Sequence, residues 1–317
     1  IIYFIFSGQD PPFNFSDDKD REVITSNLPE DVQFLISECC NSDVEERAKF
    51  KDITEFCAES LVYIDGFEQE EYTEYVNRLN NYSSSTNNKT GLILDESSII
   101  GLNFSVYISN KKKNVSMGDR FLSIVKKISS DQMMVTQKRN IYLLKSFPGV
   151  NEKKFIPKII RYSKLNHFAI LKLKGVALSN DNHATFILKN KVSNGSLTDI
   201  ITNEKEGNAP SDWTMTKKII TLYGVAKAMA YLHSKNIYAQ NLCPNNIFFD
   251  WEFYPYITNF ETLIDLDDGW SNYNDYDFDN NCIDPQINQK KKPNEKTDVY
   301  SFSIITYYIF ATEYPFS

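Results

Sequence analysis

Residues 239–246 read Ala-Gln-Asn-Leu-Cys-Pro-Asn-Asn, so the groups here that could touch a reacting molecule are mostly neutral amides. An amide donates and accepts hydrogen bonds, but it takes up no proton at neutral pH. It also gives a divalent cation no anionic oxygen, the ligand such hard ions prefer. Asn241, Asn246 and, further along, Asn259 share this limit. The five cysteines (Cys39, Cys40, Cys57, Cys243 and Cys282) are odd in number and lack C-x-x-C spacing. That usage fits a reducing, cytoplasmic setting better than a disulfide framework or a zinc site.

These residues must be held by regular elements. Residues 213–234 read as a long helix, with Ile219, Leu222, Val225, Ala226, Met229 and Leu232 on one face as core. Residues 121–147 alternate and are β-branched in places, as strands are. Leu28-Pro29-Glu30 opens another helical pattern through Val32, Leu35 and Ile36. Of 317 residues, 42% are apolar and 24% charged, with a net charge of −8. Lys111–Lys113 and Lys290–Lys292 are the densest basic runs and read as solvated loops, which argues against a nucleic-acid partner. No run reaches the roughly 18 apolar residues of a membrane span. The chain opens on Ile rather than Met and reads as an excerpt.

The stretch Tyr231–Asp250 resembles the catalytic loop of a protein kinase, H-R-D-L-x-x-x-N, whose Asp accepts the substrate proton and whose Asn holds a metal ion. By this resemblance Asn241 stands at the catalytic base, Gln240 at the arginine, and Asn246 is the retained asparagine. Thr258-Asn259-Phe260-Glu261 stands at the approach to D-F-G, putting Asn259 at the metal-binding aspartate and Glu261 at the glycine. Tyr142-Leu143-Leu144-Lys145 resembles V-A-I-K and makes Lys145 the phosphate-facing lysine. Counted back from Leu165-Asn166-His167, its glutamate partner is replaced by Lys158, and two lysines repel. His167 itself reads as fixing a turn. Where a glycine-rich loop would cradle phosphates, Ile128–Val135 has no glycine, and Asp131 adds like charge.

Asn194-Gly195-Ser196-Leu197 is similar to the tyrosine-kinase-like branch of the family. That register puts Lys189 behind the adenine site, with Leu143 and Phe248 filling its space. Asp284-Pro285-Gln286 stands at A-P-E, and Asp298-Val299-Tyr300-Ser301-Phe302 opens the central helix of the C-lobe. The resemblance spans residues 119–317 and is strongest over 194–300.

It implies an α+β, two-lobed kinase-like fold: a small β-rich N-lobe over 119–188 and a mainly helical C-lobe over 189–317, incomplete at the chain end. Residues 39–57 resemble the segment before the last kinase helix, with Arg47 and Phe50 matching, Cys40 at the Trp and Ala48 at the second Pro. Tyr3–Phe13 and Tyr307–Phe316 also look alike, a tandem repeat. Residues 1–66 therefore read as the C-terminal helices of a preceding C-lobe. In a circularly permuted unit they would instead complete the second domain, with Arg47 meeting Gln286. Residues 67–118 read as an Asn/Ser-rich linker with a short helix around Glu70–Leu79.

The functional expectation is a pseudokinase that acts through protein partners, including another kinase domain in the same chain. No metal is expected, and no cofactor beyond weak ATP binding through the vestigial Lys145 and Asn246. The competing expectation is a divergent ATP-dependent Ser/Thr kinase with weak nucleotide binding, its chemistry supplied by carboxylates such as Asp250 or Asp265.

Overall fold

A computed structural model describes residues 17–84, 106–108, 114–117, 120–127, 132–137, 140–147, 160–178, 184–189, 192–239, 241–258, 264–265, 280–288 and 294–315. The chain divides into a sheet unit (77–194 and 249–251) and a helical unit (1–76, 195–248 and 252–317).

The sheet unit has seven strands: β1 Val106–Ile108, β2 Asn114–Met117, β3 Arg120–Lys127, β4 Gln132–Gln137, β5 Asn140–Phe147, β6 Leu173–Leu178 and β7 Ala184–Lys189. Their order is β1-β2-β3-β4-β5-β7-β6, with every pair antiparallel. The alternating stretch 121–147 thus forms β3 to β5. Strands also begin before residue 119: β1 and β2 lie inside the segment expected as a linker. Their Val106, Ile108 and Val115 favour the pleated backbone that the surrounding Asn/Ser composition obscured. Gln132–Val135, expected in the phosphate-loop position, lie on β4. Residues 128–131 and Lys158 fall outside the described residues.

The helical unit opens with α1 Asp18–Thr25, α2 Glu30–Cys39 and α3 Phe50–Glu59. Pro29 precedes α2 with Glu30 and Asp31 in its first turn, as the Pro-Glu signal predicts. Val32, Leu35, Ile36 and Cys39 bury one stripe of α2, and Phe50, Ile53, Thr54 and Cys57 one of α3. Then α4, Gln69–Ser84, is the short helix expected around Glu70–Leu79, extended at its C-terminal end. Tyr72 and Tyr75, three apart, form a helical stripe whose rings meet Tyr223. Near its end, Tyr82 meets Phe168 and Asn166 within the sheet unit.

Gly195 precedes α5, Leu197–Lys205, at φ +83°, where a Cβ would lie 2.7 Å from Asp199 Oδ2. Glycine is therefore the residue that fits. Ser196 and Asp199 then close a reciprocal capping box on α5. The long helix α6, Met215–His233, is broader in burial than its apolar stripe predicts: Thr216, Lys217, Lys218 and Thr221 are buried as well. The reason is tertiary, since α3 packs on α6 and α4 lies against its first half. The buried ammonium of Lys217 is offset by Glu71 at 2.8 Å and the Tyr254 ring at 4.6 Å. Lys218 pairs with Glu204 at 2.6 Å.

Two short ribbons follow, β8 Ile237–Tyr238 with β11 Ile264–Asp265, and β9 Ile247–Phe249 with β10 Pro255–Ile257. After the short α7, Pro285–Asn288, comes α8, Glu295–Ala311, which is buried along nearly its whole length and packs on α2. Among the described residues no helix is long and apolar enough to cross a membrane.

Arg47, between α2 and α3, does not meet Gln286. Its guanidinium pairs with the carboxylate of Asp284, two residues earlier, and both side chains are buried. It also donates to the carbonyls of Asn41 (2.9 Å) and Lys296 (3.1 Å), and lies 5.2 Å from the Tyr300 ring. Lys296 returns donors to the carbonyls of Arg47 and Glu45. The expected neutral hydrogen bond is thus an ion pair: the acid sits at the first position of Asp284-Pro285-Gln286, not the third.

All five cysteines are free and buried. Burial pushes the Cys40 thiol up to about 11 from an ordinary 9.0, with Arg21 opposing. A thiol whose folded value is raised contributes stability below pH 9 that is lost as pH climbs through about 11. Denaturant unfolding is expected to weaken by about 1–3 kcal/mol across that interval. The Cys40→Ala variant should show a flatter slope. Tyr72 and Tyr300, raised by burial, act with the same sign at higher pH.

Candidate functional site

The loop that resembles a kinase catalytic loop begins at the C-terminus of α6. His233 is the last residue of that helix, and its Nε2 lies 2.9 Å from Asp298 Oδ2 in the first turn of α8. The same carboxylate oxygen accepts the backbone N–H of Ala239 at 2.9 Å. Asp298 is 1% exposed, so an ion out of water is held by a backbone donor and an imidazole. Phe50 of α3 packs edge-on against His233 at 5.1 Å, and Tyr238 does so at 5.3 Å. A residue from the N-terminal segment therefore braces the histidine that anchors the loop.

Beyond Ala239 the loop is tied to itself. Asn241 N–H donates to the Ala239 carbonyl at 2.6 Å. Asn246 Nδ2 donates to the Asn241 carbonyl and to Cys243 Sγ, each at 3.1 Å. The Asn246 carbonyl accepts from both N–H and Oγ1 of Thr258, at 3.0 and 3.1 Å. That bond ties the loop to the segment leading toward position 259. Asn241, Asn246 and Thr258 are all buried. Asn246 thus spends its side-chain nitrogen on the frame of the loop.

Asn241 and Asn246, singled out in the sequence, are brought together here. Lys145 lies on β5 opposite Gln132 and Phe186, and Lys189 ends β7 opposite Tyr142. Leu143 is buried in the sheet unit and Phe248 in the helical unit, where Phe248 bridges to Ser196. Asp265 pairs through its backbone with Ile237. Asp250 is buried within the sheet unit, and its carbonyl accepts from Asn194 Nδ2 at 2.7 Å. Gln240 and Asn259 lie outside the described residues. His167 accepts the N–H of Ala169 at its Nδ1, 3.2 Å away, closing a turn. Sequence reasoning missed His233 and the partnership of Arg47 with Asp284. The available signal was faint: Asp298 directly precedes the largely apolar stretch from Val299, where an acid needs a partner, while Asp284 lies in a polar stretch that gives no such hint.

Comparison with known proteins bears on the whole arrangement. The chain is 30% identical to the receptor-like kinase LIP1 of Arabidopsis thaliana over 48% of its own length and 24% of that protein. It is 28% identical to the MDIS1-interacting receptor like kinase 2, over 52% of its length and 16% of the relative. With the cysteine-rich receptor-like protein kinase 45 it shares 26% over 48% of its length and 44% of the relative. Both latter proteins are from Arabidopsis thaliana, and the chain spans less than half of each of the three. The profile of protein tyrosine and serine/threonine kinases matches residues 118–317. A buried carboxylate anchoring the loop, an antiparallel sheet unit, a helical unit and this match agree: the chain belongs to the protein tyrosine and serine/threonine kinase family.

Proposed function

We propose that this chain is a pseudokinase, a kinase-family module that works by binding protein partners rather than by transferring phosphate. The observation that supports it most is the contrast within one loop. Asp298, His233 and Asn246 hold the loop's frame by hydrogen bonds, while Asn241, a neutral amide, stands where the motif resemblance puts proton acceptance. The residues present fit magnesium and a triphosphate poorly. Asn246 has turned its amide nitrogen onto the loop, Asn241 and Asn259 are neutral, and β4 occupies much of the phosphate-loop position. Removing a general base alone costs on the order of 10²–10⁴ in rate. The permuted arrangement belongs to the same reading: residues 17–66 serve as the terminal helices of this helical unit in cis, and a further kinase domain of the same protein is a candidate partner.

Incubation with radiolabelled Mg·ATP and a generic protein substrate is expected to give no transfer above background, and Asn241→Asp alone to restore none. Transfer that disappears in Lys145→Ala would defeat this reading and favour a divergent Ser/Thr kinase.

A further inference from the structure

Residues 17–66 carry fourteen Asp and Glu against five Lys and Arg, a net −9 beside the whole chain's −8. Two of the five cations are buried in ion pairs, Arg21 with Asp18 and Arg47 with Asp284. The negative charge of this protein is therefore concentrated on the outer surface of α1 to α3 and their connections. Within that surface lies an aromatic pair. Phe34 on α2 is 52% exposed, and its ring stacks at 5.3 Å, tilted by 33°, on that of Phe56 on α3.

Acids frame the pair. Glu30 and Glu38 stand four residues before and after Phe34, on the same exposed stripe of α2. Asp52 and Glu59 stand four before and three after Phe56, and both are exposed. Lys51, the exposed cation of α3, is shared with Glu55 at 3.9 Å. A lone exposed ring on a protein surface needs no explanation. A stacked pair inside a ring of like charge is a different feature, because the negative faces of the rings add to the field of the carboxylates.

We propose that the Phe34–Phe56 face is a docking site for a basic amphipathic protein segment, one that sets an aliphatic side chain on the rings and Lys or Arg against the surrounding acids. The charge complementarity selects this occupant: an acidic or neutral apolar segment would bring repulsion or leave four carboxylates without a counter-charge. A purely basic segment would leave the rings in water. The site lies apart from the altered catalytic loop, and its binding is independent of whether the chain transfers phosphate.

The test uses the 317-residue chain without nucleotide and a short fluorescein-labelled helical peptide of Leu and Lys/Arg, read by fluorescence anisotropy. A second peptide keeps the charges and replaces Leu with Ser; a third replaces Lys/Arg with Glu. The first is expected to bind, the second about tenfold or more weaker, and the third not at all. Phe34→Ser and the pair Glu30→Lys/Glu38→Lys change exposed residues, so circular dichroism should match the parent, with melting lowered only slightly because Glu30→Lys opposes the dipole of α2 and Phe34→Ser unstacks Phe56. Each is expected to weaken binding about tenfold, and raising salt from about 50 to about 300 mM should weaken the parent more than the lysine variant. Equal binding of the Leu and Ser peptides would overturn the proposal, as would affinity within about twofold of the parent in both variants, or no binding of the first peptide.

Discussion

Replacing Arg47 with leucine is expected to lower the unfolding free energy by about 3–5 kcal/mol, because it strands the buried carboxylate of Asp284. The guanidinium now meets that acid, two backbone carbonyls and the face of Tyr300, so four groups lose a partner together. Leucine returns some apolar burial, but this is worth only about 2 kcal/mol and cannot hydrogen-bond a charge. The double variant Arg47→Leu/Asp284→Leu removes both ions and should recover at least half of the loss, since well-packed apolar pairs commonly match a buried ion pair. Urea unfolding measures both. An Arg47→Leu effect below about 0.5 kcal/mol is what a surface substitution gives. That result would mean residues 17–66 do not pack into this helical unit in solution, and the proposal of completion in cis would fall with it.

Gly224, midway along α6, carries the second large effect. A Cβ there would lie 2.2 Å from Tyr75 Oη and 2.7 Å from Pro255 Cγ. Two forces oppose each other on substitution. Alanine improves on glycine by about 1 kcal/mol in a helix interior, whereas forcing a methyl into a packed core costs about 1–3 kcal/mol or more. The neighbours decide the sign: Tyr75 is fully buried and Pro255 is a rigid ring, so neither yields readily. Gly224→Ala should therefore destabilise modestly, and Gly224→Val by about 3 kcal/mol or more. Removing the tyrosine oxygen relieves the closest approach and leaves Tyr75 Cζ at 3.2 Å. In a Tyr75→Phe background the alanine penalty should shrink while the Pro255 contact keeps part of it. A penalty unchanged by Tyr75→Phe would show that α4 does not press on α6 at this point.

Both predictions concern the same relation between scaffold and loop. Phe50, from the N-terminal segment, rests on His233, which bonds Asp298, which holds Ala239. Loss of the Arg47 anchor should thus reach the loop through α3. Hydrogen exchange of the Ala239 amide is the local readout, and it should quicken in Arg47→Leu more than the amides of the sheet unit do.

Much of this protein was legible in one dimension. The helix over 213–234, the strands within 121–147 and the Pro29-Glu30 helix start all follow from local periodicity and capping chemistry, which neighbouring residues suffice to express. The neutral character of Asn241 and Asn246 is likewise a property of residue type, and folding cannot give either one a charge. Other features needed the fold. Residues 106–117 look like polar linker, yet Val106–Ile108 and Asn114–Met117 pair as strands. The helix expected around Glu70–Leu79 is present but longer, Gln69–Ser84, and only the fold shows that Tyr223 meets its Tyr72 and Tyr75. α6 is buried well beyond its apolar stripe because α3 and α4 arrive from far away in sequence. The acid that Arg47 meets was misjudged by two residues, because motif position gives the neighbourhood while side-chain reach and backbone direction choose the partner. Periodicity reports which face of an element is apolar; only packing decides how many faces are covered, and which buried charge finds which.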